Sequence, residues 1–335
     1  MSKKGSLLAC LVILAVVGVV LGLYAVLNQY GNAPLSDTQK HVTIAVRPGQ
    51  SFSDTVKELT GSGLLHDSRK FTLIARIKGL DTKIQAGEYR FSSLMTPNEV
   101  LNTLTRGETL LHSVTIPEGY NLFQIAEILE KKGILSSKQF LEAASDPERV
   151  RSAGISADLL EGYLFPDTYR FPKGIEADRV LEIMRDRLHQ VFMPIWRKKG
   201  DLTTLSFHEV VTLASIIEKE TGEPSERALI AAVFLNRLKR RMRLESDPTV
   251  IYGIMDFDGN LTRKDLATYT PYNTYRIKGL PPGPISSPGI DSLKSVLMPA
   301  DESYLYFVSR NDGTHQFSRT IEEHNKAVRK YQKKG

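Results

Sequence analysis

The chain has 335 residues, 41% hydrophobic and 24% charged, with a formal net charge of +6 and a single cysteine. That length exceeds one small domain, the composition is that of a globular protein, and one cysteine excludes an intrachain disulfide. The basic residues form no dense stripe with interleaved aromatics, which argues against nucleic acid as a partner.

In chain order, the first feature is an uncharged apolar run of 21 residues that opens at Leu7 and closes at Leu27. As a helix it is about 30 Å long, enough for a bilayer core. It exceeds the roughly 7–15 residues of a signal-peptide core, and Gly31-Asn32-Ala33 is followed by Pro34 instead of a permissive residue. An uncleaved anchor is expected. Lys3 and Lys4 precede it, and no positive charge follows until Lys40. The positive-inside bias therefore puts the N-terminus in the cytoplasm and residues from about 29 onward outside, in a single-pass protein of the cytoplasmic (inner) membrane. Cys10 follows Leu7-Leu8-Ala9 in imitation of a lipoprotein box, but here the apolar run follows the cysteine.

Residues 28–40 (NQYGNAPLSDTQK) are polar and aperiodic, as in a short linker. Beyond them lies an internal repeat with a fixed offset of 70 residues: Ile44 matches Val114, Val46 matches Ile116, Gly49 matches Gly119, Phe52 matches Leu122, Leu59 matches Leu129 and Gly63 matches Gly133. Each copy reads as a strand, a glycine turn, an amphipathic helix and a glycine stop. The repeat resembles the LysM-like fold, a module associated with N-acetylglucosamine polymers. Two roles stay open, glycan binding and spacing the rest of the chain from the membrane, because no aromatic platform is evident. Residues 87–91 (GEYRF) are expected to close the first copy as a strand.

Further helices are predicted at 136–150, 177–196 and 225–244, and strands at 304–309 and near Gln316 and Phe317. The most informative stretch is SFHEVVTLASIIEKE, 206–220. Ser206 and Glu209 have capping-box spacing. At 100° per residue, Phe207, Val210, Val211, Ala214 and Ile217 share an apolar arc with Glu218. His208, Thr212, Ser215 and Lys219 fall on the polar side, and Glu220 lies nearly opposite Glu218. A carboxyl on that arc tends to keep its proton, as a general acid requires; the alternative is a structural ion pair with an arginine. Asp247-Pro248 reads as an N-cap and first turn of a short helix. The predicted architecture is α+β: a cytoplasmic tip and transmembrane helix (1–28), a linker (29–40), a LysM-like repeat region (41–150) and a mixed α+β catalytic domain (155–335).

Several chemistries fail on inventory. The chain has no H-E-x-x-H, no G-x-S-x-G, no phosphate-binding glycine loop and no catalytic cysteine candidate, so neither metal nor cofactor is expected. What is present is a set of segments, EGYLFPDTY (161–169), ASIIEKET (214–221), SDPTVIYG (246–253), YNTY (272–275), GLPPGPI (279–285), YLYFV (304–308) and EHN (323–325). In kind and order they resemble the YceG-like family over residues 160–330, with Glu245 as a departure where a neutral polar residue is expected. The resemblance implies a membrane-anchored enzyme that cuts peptidoglycan glycan strands internally, beside peptidoglycan synthases, with Glu218 as catalytic acid. Asn273 and Tyr275 are candidates for holding sugar hydroxyls and the N-acetyl group, joined by Thr249 and Tyr272 from the same motifs. Asp247 orients a loop, caps a helix or acts as a second carboxylate. Asn325 fastens the C-terminal segment or faces sugar. Two rivals stand: a muramidase with a second essential carboxylate, Asp247 or Glu223, and a non-catalytic wall-binding scaffold.

Overall fold

The computed structural model describes residues 3–152 and 157–332. It divides into two compact units, Met1–His112 with Pro172–Gly174 and Ser113–Phe171 with Ile175–Gly335. The expected domain boundary at 150–155 runs into residues 153–156, outside the described residues; the chain parts instead near residue 112. The second repeat copy thus belongs with the C-terminal region, because Val114, Ile116, Ile125, Ala126 and Leu129 bury into the same core as Val211, Ile217 and Phe234.

The first unit begins with α1 (Lys3–Asn32), of which residues 10–32 are long and apolar enough to cross a membrane. Then come β1 (His41–Val46), α2 (Phe52–Gly61), α3 (Ser68–Ile77), β2 (Gly87–Ser92) and α4 (Pro97–Arg106). β1 and β2 pair antiparallel, His41 opposite Ser92 and Val46 opposite Gly87. Alternation along β1 buries Ile44 and Val46 over Val56, Leu59, Phe71 and Leu101. The linker expected at 29–40 is ordered at both ends. Helix α1 continues through Asn32, Leu27 and Leu35 enter the core, and the backbone of Leu35 and Ser36 donates to Met95 O and Ser93 O. Burying two leucines and satisfying those amides outweighs the entropy of a free tether.

The second unit holds β3 (Leu111–Thr115), α5 (Leu122–Lys131), α6 (Ser137–Ala144), α7 (Pro147–Ser152), β4 (Thr168–Pro172), α8 (Ala177–Lys199), α9 (Phe207–Glu220), α10 (Arg227–Lys239), α11 (Asp247–Tyr252), α12 (Arg263–Ala267), α13 (Ile290–Leu297), β5 (Tyr306–Ser309), β6 (His315–Ser318) and α14 (Ile321–Tyr331). β3 pairs with β4, and β5 with β6 antiparallel. The architecture is mixed helix and sheet, with sheets of only two strands. Helix α9 lies at its centre, packed by α8, α10 and α13.

The repeat is visible as a strand, two helices and a closing strand, with the short α7 added before β4 in the second copy, and α2 and α5 start and stop 70 residues apart. Both helices are capped at the matched position, by Ser51 onto Asp54 N and by Asn121 onto Gln124 N. Both turns use a glycine in the left-handed region, Gly49 at φ 75° and Gly119 at φ 74°. Such a residue with a Cβ costs about 1–2 kcal/mol. Around Gly49 a Cβ would meet open space. Gly49→Ala should therefore lower unfolding stability by about 1 kcal/mol through backbone strain alone and leave catalytic turnover unchanged; thermal melts and turnover of the two proteins check this.

Candidate active site

Helix α9 starts as its sequence requires. Ser206 Oγ accepts from Glu209 N, and the Glu209 carboxylate accepts from Ser206 N at 2.7 Å. Beyond the cap, the amphipathic expectation fails. Residues 210–217 are all buried, including Thr212 and Ser215 on the predicted polar side. That side carries the segment 282–289. His208 Nε2 donates to Pro282 O at 2.8 Å, Ser215 Oγ accepts from Ile285 N at 3.0 Å, Ser286 Oγ donates to Ser215 O at 3.2 Å, and Glu218 Oε2 accepts from Gly289 N at 2.9 Å. Tyr163 OH bonds His208 Nδ1 at 2.7 Å. The Pro282 carbonyl can only accept, so Nε2 carries a hydrogen and both ring nitrogens are engaged.

Glu218 is the last rung of this ladder. Its side chain is only 6% exposed, and its Oε1 receives Arg227 Nη2 at 3.2 Å. The ion-pair alternative weighed from the sequence is therefore the observed resting arrangement, and both carboxylate oxygens are occupied by donors. The same Arg227 nitrogen lies 3.8 Å from Glu118 Oε2. Glu118 sits in the turn of the second repeat copy, which is tied down on three sides. Gly119 N donates to Ser287 O at 2.9 Å, Ser287 N donates to Tyr120 O at 2.8 Å, and Lys219 Nζ donates to Gly119 O at 3.2 Å. Partial burial first, and then the negative charge of Glu218, push the Glu118 carboxyl above its ordinary range, with Arg227 opposing. A Cβ on Gly289 would meet Glu118 Oε1 at 1.9 Å, so a side chain there would displace the carboxyl from the start of α13. Neither Glu118 nor Arg227 was singled out from the sequence. The signal was there in the repeat, where Pro48 stands at the position matched by Glu118.

The other candidates gather elsewhere. Two residues along a helix is 200° of rotation, and Glu220 faces away from Glu218. Glu220 Oε1 accepts from Ser246 Oγ; burial pushes this carboxyl up to about 7, with the Asp247 charge adding and Arg237 subtracting. Tyr275 OH donates to Asp247 Oδ1 at 2.7 Å. The cap of α11 is Ser246, without a side-chain bond, so Asp247 is the first helical residue and not the expected cap. Asn273 is fully buried; its amide nitrogen donates to the carbonyls of Asp265, Leu266 and Thr268, and its oxygen accepts from Tyr275 N. Thr249, also fully buried, bonds Ser246 O at 2.6 Å and Thr274 Oγ1 at 2.8 Å. In this arrangement both hold loops together, and neither has free polar atoms to offer a sugar. Glu223 caps the short helical turn after α9 through Ser225. Asn325 is exposed on α14, which packs on β5 and β6.

Tyr272 belongs to a third group. Its ring lies 4.8 Å from that of Tyr252, whose hydroxyl donates to Glu161 Oε2 at 3.1 Å. Glu161 is 1% exposed, takes Leu122 N at 3.2 Å on the same oxygen, and its Oε1 has no hydrogen-bond partner among the described residues. Burial pushes its carboxyl up to about 7. Glu161, Tyr272, Asp158 and 282–284 line a cavity of about 630 Å³.

A sequence profile of the YceG-like family matches residues 44–330, a longer stretch than the 160–330 that carry the motifs. Relatives named endolytic murein transglycosylase are 33% identical over 324 residues in Bacillus subtilis, covering 90% of this chain and 89% of that protein, and 30% identical in Streptococcus pneumoniae serotype 2, covering 88% of this chain and 59% of that longer protein. The crystal structure of a yceG-like protein from Listeria monocytogenes is 33% identical, covers 87% of this chain and all of its own, and superposes with a TM-score of 0.60.

The two carboxyls raised to about 7 set a pH dependence. Ordinary glutamates titrate near 4.5, so across the interval up to about 7 the folded chain binds more protons than the unfolded one. Their contribution to stability is complete below about pH 4.5 and is lost as pH rises through about 7. The thermal midpoint should therefore fall over that window, with each group accounting for roughly 3 kcal/mol at most. Glu161→Gln and Glu220→Gln should each flatten the slope; a variant with the wild-type slope removes that carboxyl from the account.

Proposed function

The chain belongs to the YceG-like family, and from that premise we propose that it is a membrane-anchored lytic transglycosylase of peptidoglycan, with Glu218 as acid and then base. The long match to proteins named endolytic murein transglycosylase carries this reading. The bond we infer is the β-1,4 link from N-acetylmuramic acid to N-acetylglucosamine. Glu218 protonates the leaving glycosidic oxygen; it then takes the proton of the substrate's own C6 hydroxyl, which attacks C1 and closes a 1,6-anhydro ring. Because the nucleophile is already part of the substrate, orientation replaces a second nucleophilic group.

The charge cluster supports a division of labour in this scheme. A carboxylate that receives Arg227 and Gly289 N–H is suited to the base half of the cycle. Glu118, whose carboxyl is pushed above its ordinary range by partial burial and the Glu218 charge, stands across Arg227 as a second acidic group. Arg227 balances whichever of the two is charged. The muramidase alternative, for which Asp247 or Glu223 is the expected second carboxylate, gains Glu118 as a further candidate, since it shares Arg227 with Glu218.

The helix α1 supports an anchor with its N-terminal end in the cytoplasm and both units outside, where glycan strands and their synthases lie. The repeat copies, in this reading LysM-like, serve unequal roles: the second supplies Glu118, and the first spaces the unit or holds glycan.

Glu218→Gln should reduce cleavage of purified sacculi by about 100-fold or more, the usual worth of a general acid–base group, with the fold retained by circular dichroism although the lost charge partner of Arg227 lowers the melting temperature. If Glu220→Gln silences the enzyme and Glu218→Gln does not, the acid is Glu220. Wild-type products should carry 1,6-anhydro ends. Reducing ends together with complete loss in Glu118→Gln would establish the hydrolase instead, and no new ends of either kind the scaffold.

Asp247→Asn loses only a charged acceptor for Tyr275, and Glu223→Gln only a charged cap. Both should retain measurable turnover with anhydro products. Loss in either as complete as in Glu218→Gln, with the fold intact, would put that residue in the mechanism.

A further inference from the structure

Helix α3 runs beside the apolar helix α1 in a defined direction. At its start, Tyr30 OH donates to Asp67 O at 3.0 Å and Lys70 Nζ lies 5.5 Å from the Tyr30 ring. At its end, Ile74, Ile77 and Lys78 line a small crevice of about 130 Å³ together with Tyr24 and Leu27. Six residues of helix separate Tyr30 from Tyr24, about 9 Å. The C-terminal turn of α3 therefore descends to the level of Tyr24, inside the apolar run that closes at Leu27. There Ile77 is 68% exposed and Tyr24 is 68% exposed, while Leu27 and Ile74 are buried beneath them. Around this apolar tip stand Arg76 and Lys78, both exposed, and Lys83 shortly after. Lys78 Nζ is positioned by Asn98 Oδ1 at 2.6 Å, and Asn98 in turn bonds Asn32 Oδ1 of α1 at 3.0 Å.

We propose that the C-terminal turn of α3 is a membrane collar: Ile77 and the crevice beside Tyr24 take the upper acyl chain of an outer-leaflet phospholipid, and Arg76 and Lys78 hold anionic headgroups. The proposal rests on the reading of α1 as a membrane anchor. Its physical basis is continuity with the span and charge. An exposed isoleucine at the depth where lipid chains begin loses water-contacting apolar area by entering them. Lysine and arginine near that boundary keep their stems in the apolar layer and their charges among phosphates. Tyrosine is suited to the same interface. The collar would clamp α1 and the first unit together at the bilayer surface.

The test uses the full-length protein with Cys10→Ser, carrying one nitroxide-labelled cysteine at a time, in phosphatidylcholine vesicles with and without phosphatidylglycerol. Val16→Cys reports the span, Ile77→Cys the collar, and Lys57→Cys an exposed position on α2. The ratio of oxygen to nickel-chelate relaxation reads immersion. The expected result is a ratio at Ile77→Cys severalfold above that at Lys57→Cys, approaching Val16→Cys. Adding phosphatidylglycerol should raise it further, and Arg76→Glu with Lys78→Glu should cancel that increment. An aqueous label at Ile77→Cys with an immersed one at Val16→Cys overturns the collar and leaves the anchor standing. Aqueous labels at both positions overturn the anchor and the collar together. Immersion at Ile77→Cys that ignores phosphatidylglycerol and the double substitution overturns the headgroup contact.

Discussion

His208, Ser215 and Glu218 form a polar line down α9, and residues 282–289 lie along it. Each hydrogen bond is worth only about 0.5–1.5 kcal/mol net, but a buried group left without its partner costs about 1–3 kcal/mol. The central helix can therefore be buried on all sides only while the proline-rich segment stays in register on it. That register delivers Gly289 N to Glu218 and fixes the start of α13. It also sets Ser287 where it holds the turn carrying Glu118. The resting geometry of Glu218, Arg227 and Glu118 follows from one packing constraint on one helix face.

The duplicated module shows one turn in two surroundings. Both copies use the same strand, left-handed glycine and capped helix. In the first copy the residue before that glycine is Pro48 and the glycine faces open space. In the second it is Glu118, and the turn is packed against α9 and residue 287. The backbone conformation is common to both because each turn has a glycine in the left-handed region; only in the second copy does the turn carry a carboxylate facing Arg227.

Three acidic groups lie in this unit with different electrostatic surroundings. Glu220 and Glu161 are buried against hydroxyls and amides with little countercharge nearby, and both hold protons to about pH 7. Glu218 is equally shielded but meets a guanidinium, Arg227, and the backbone N–H of Gly289 at the start of α13. Burial alone does not identify a general acid; the nearest cation decides what a buried carboxyl can do.

Many local features were legible in the sequence, although the helix expected at 136–150 is broken into α6 and α7 and the one expected at 225–244 spans only Arg227–Lys239. The Ser206–Glu209 cap, the 70-residue repeat, the glycine turns, the apolar helix and the last two strands each depend on residues close in the chain or on a fixed period, and the motif order placed the chain in its family. The partners of Glu218 were not legible. Arg227 follows after a turn whose path no periodicity specifies, Glu118 is 100 residues away in sequence, and Gly289 approaches from a loop. The helical wheel misassigned Thr212 and Ser215 to solvent because it knows only the identity of a side chain, not whether another segment will come to satisfy it. Asn273 looked like a sugar ligand for the same reason, until the fold surrounded its amide with carbonyls. Local propensity and period determined the elements and the family; only tertiary packing, through long-range hydrogen bonds and charge pairs, decided which acids meet which partners.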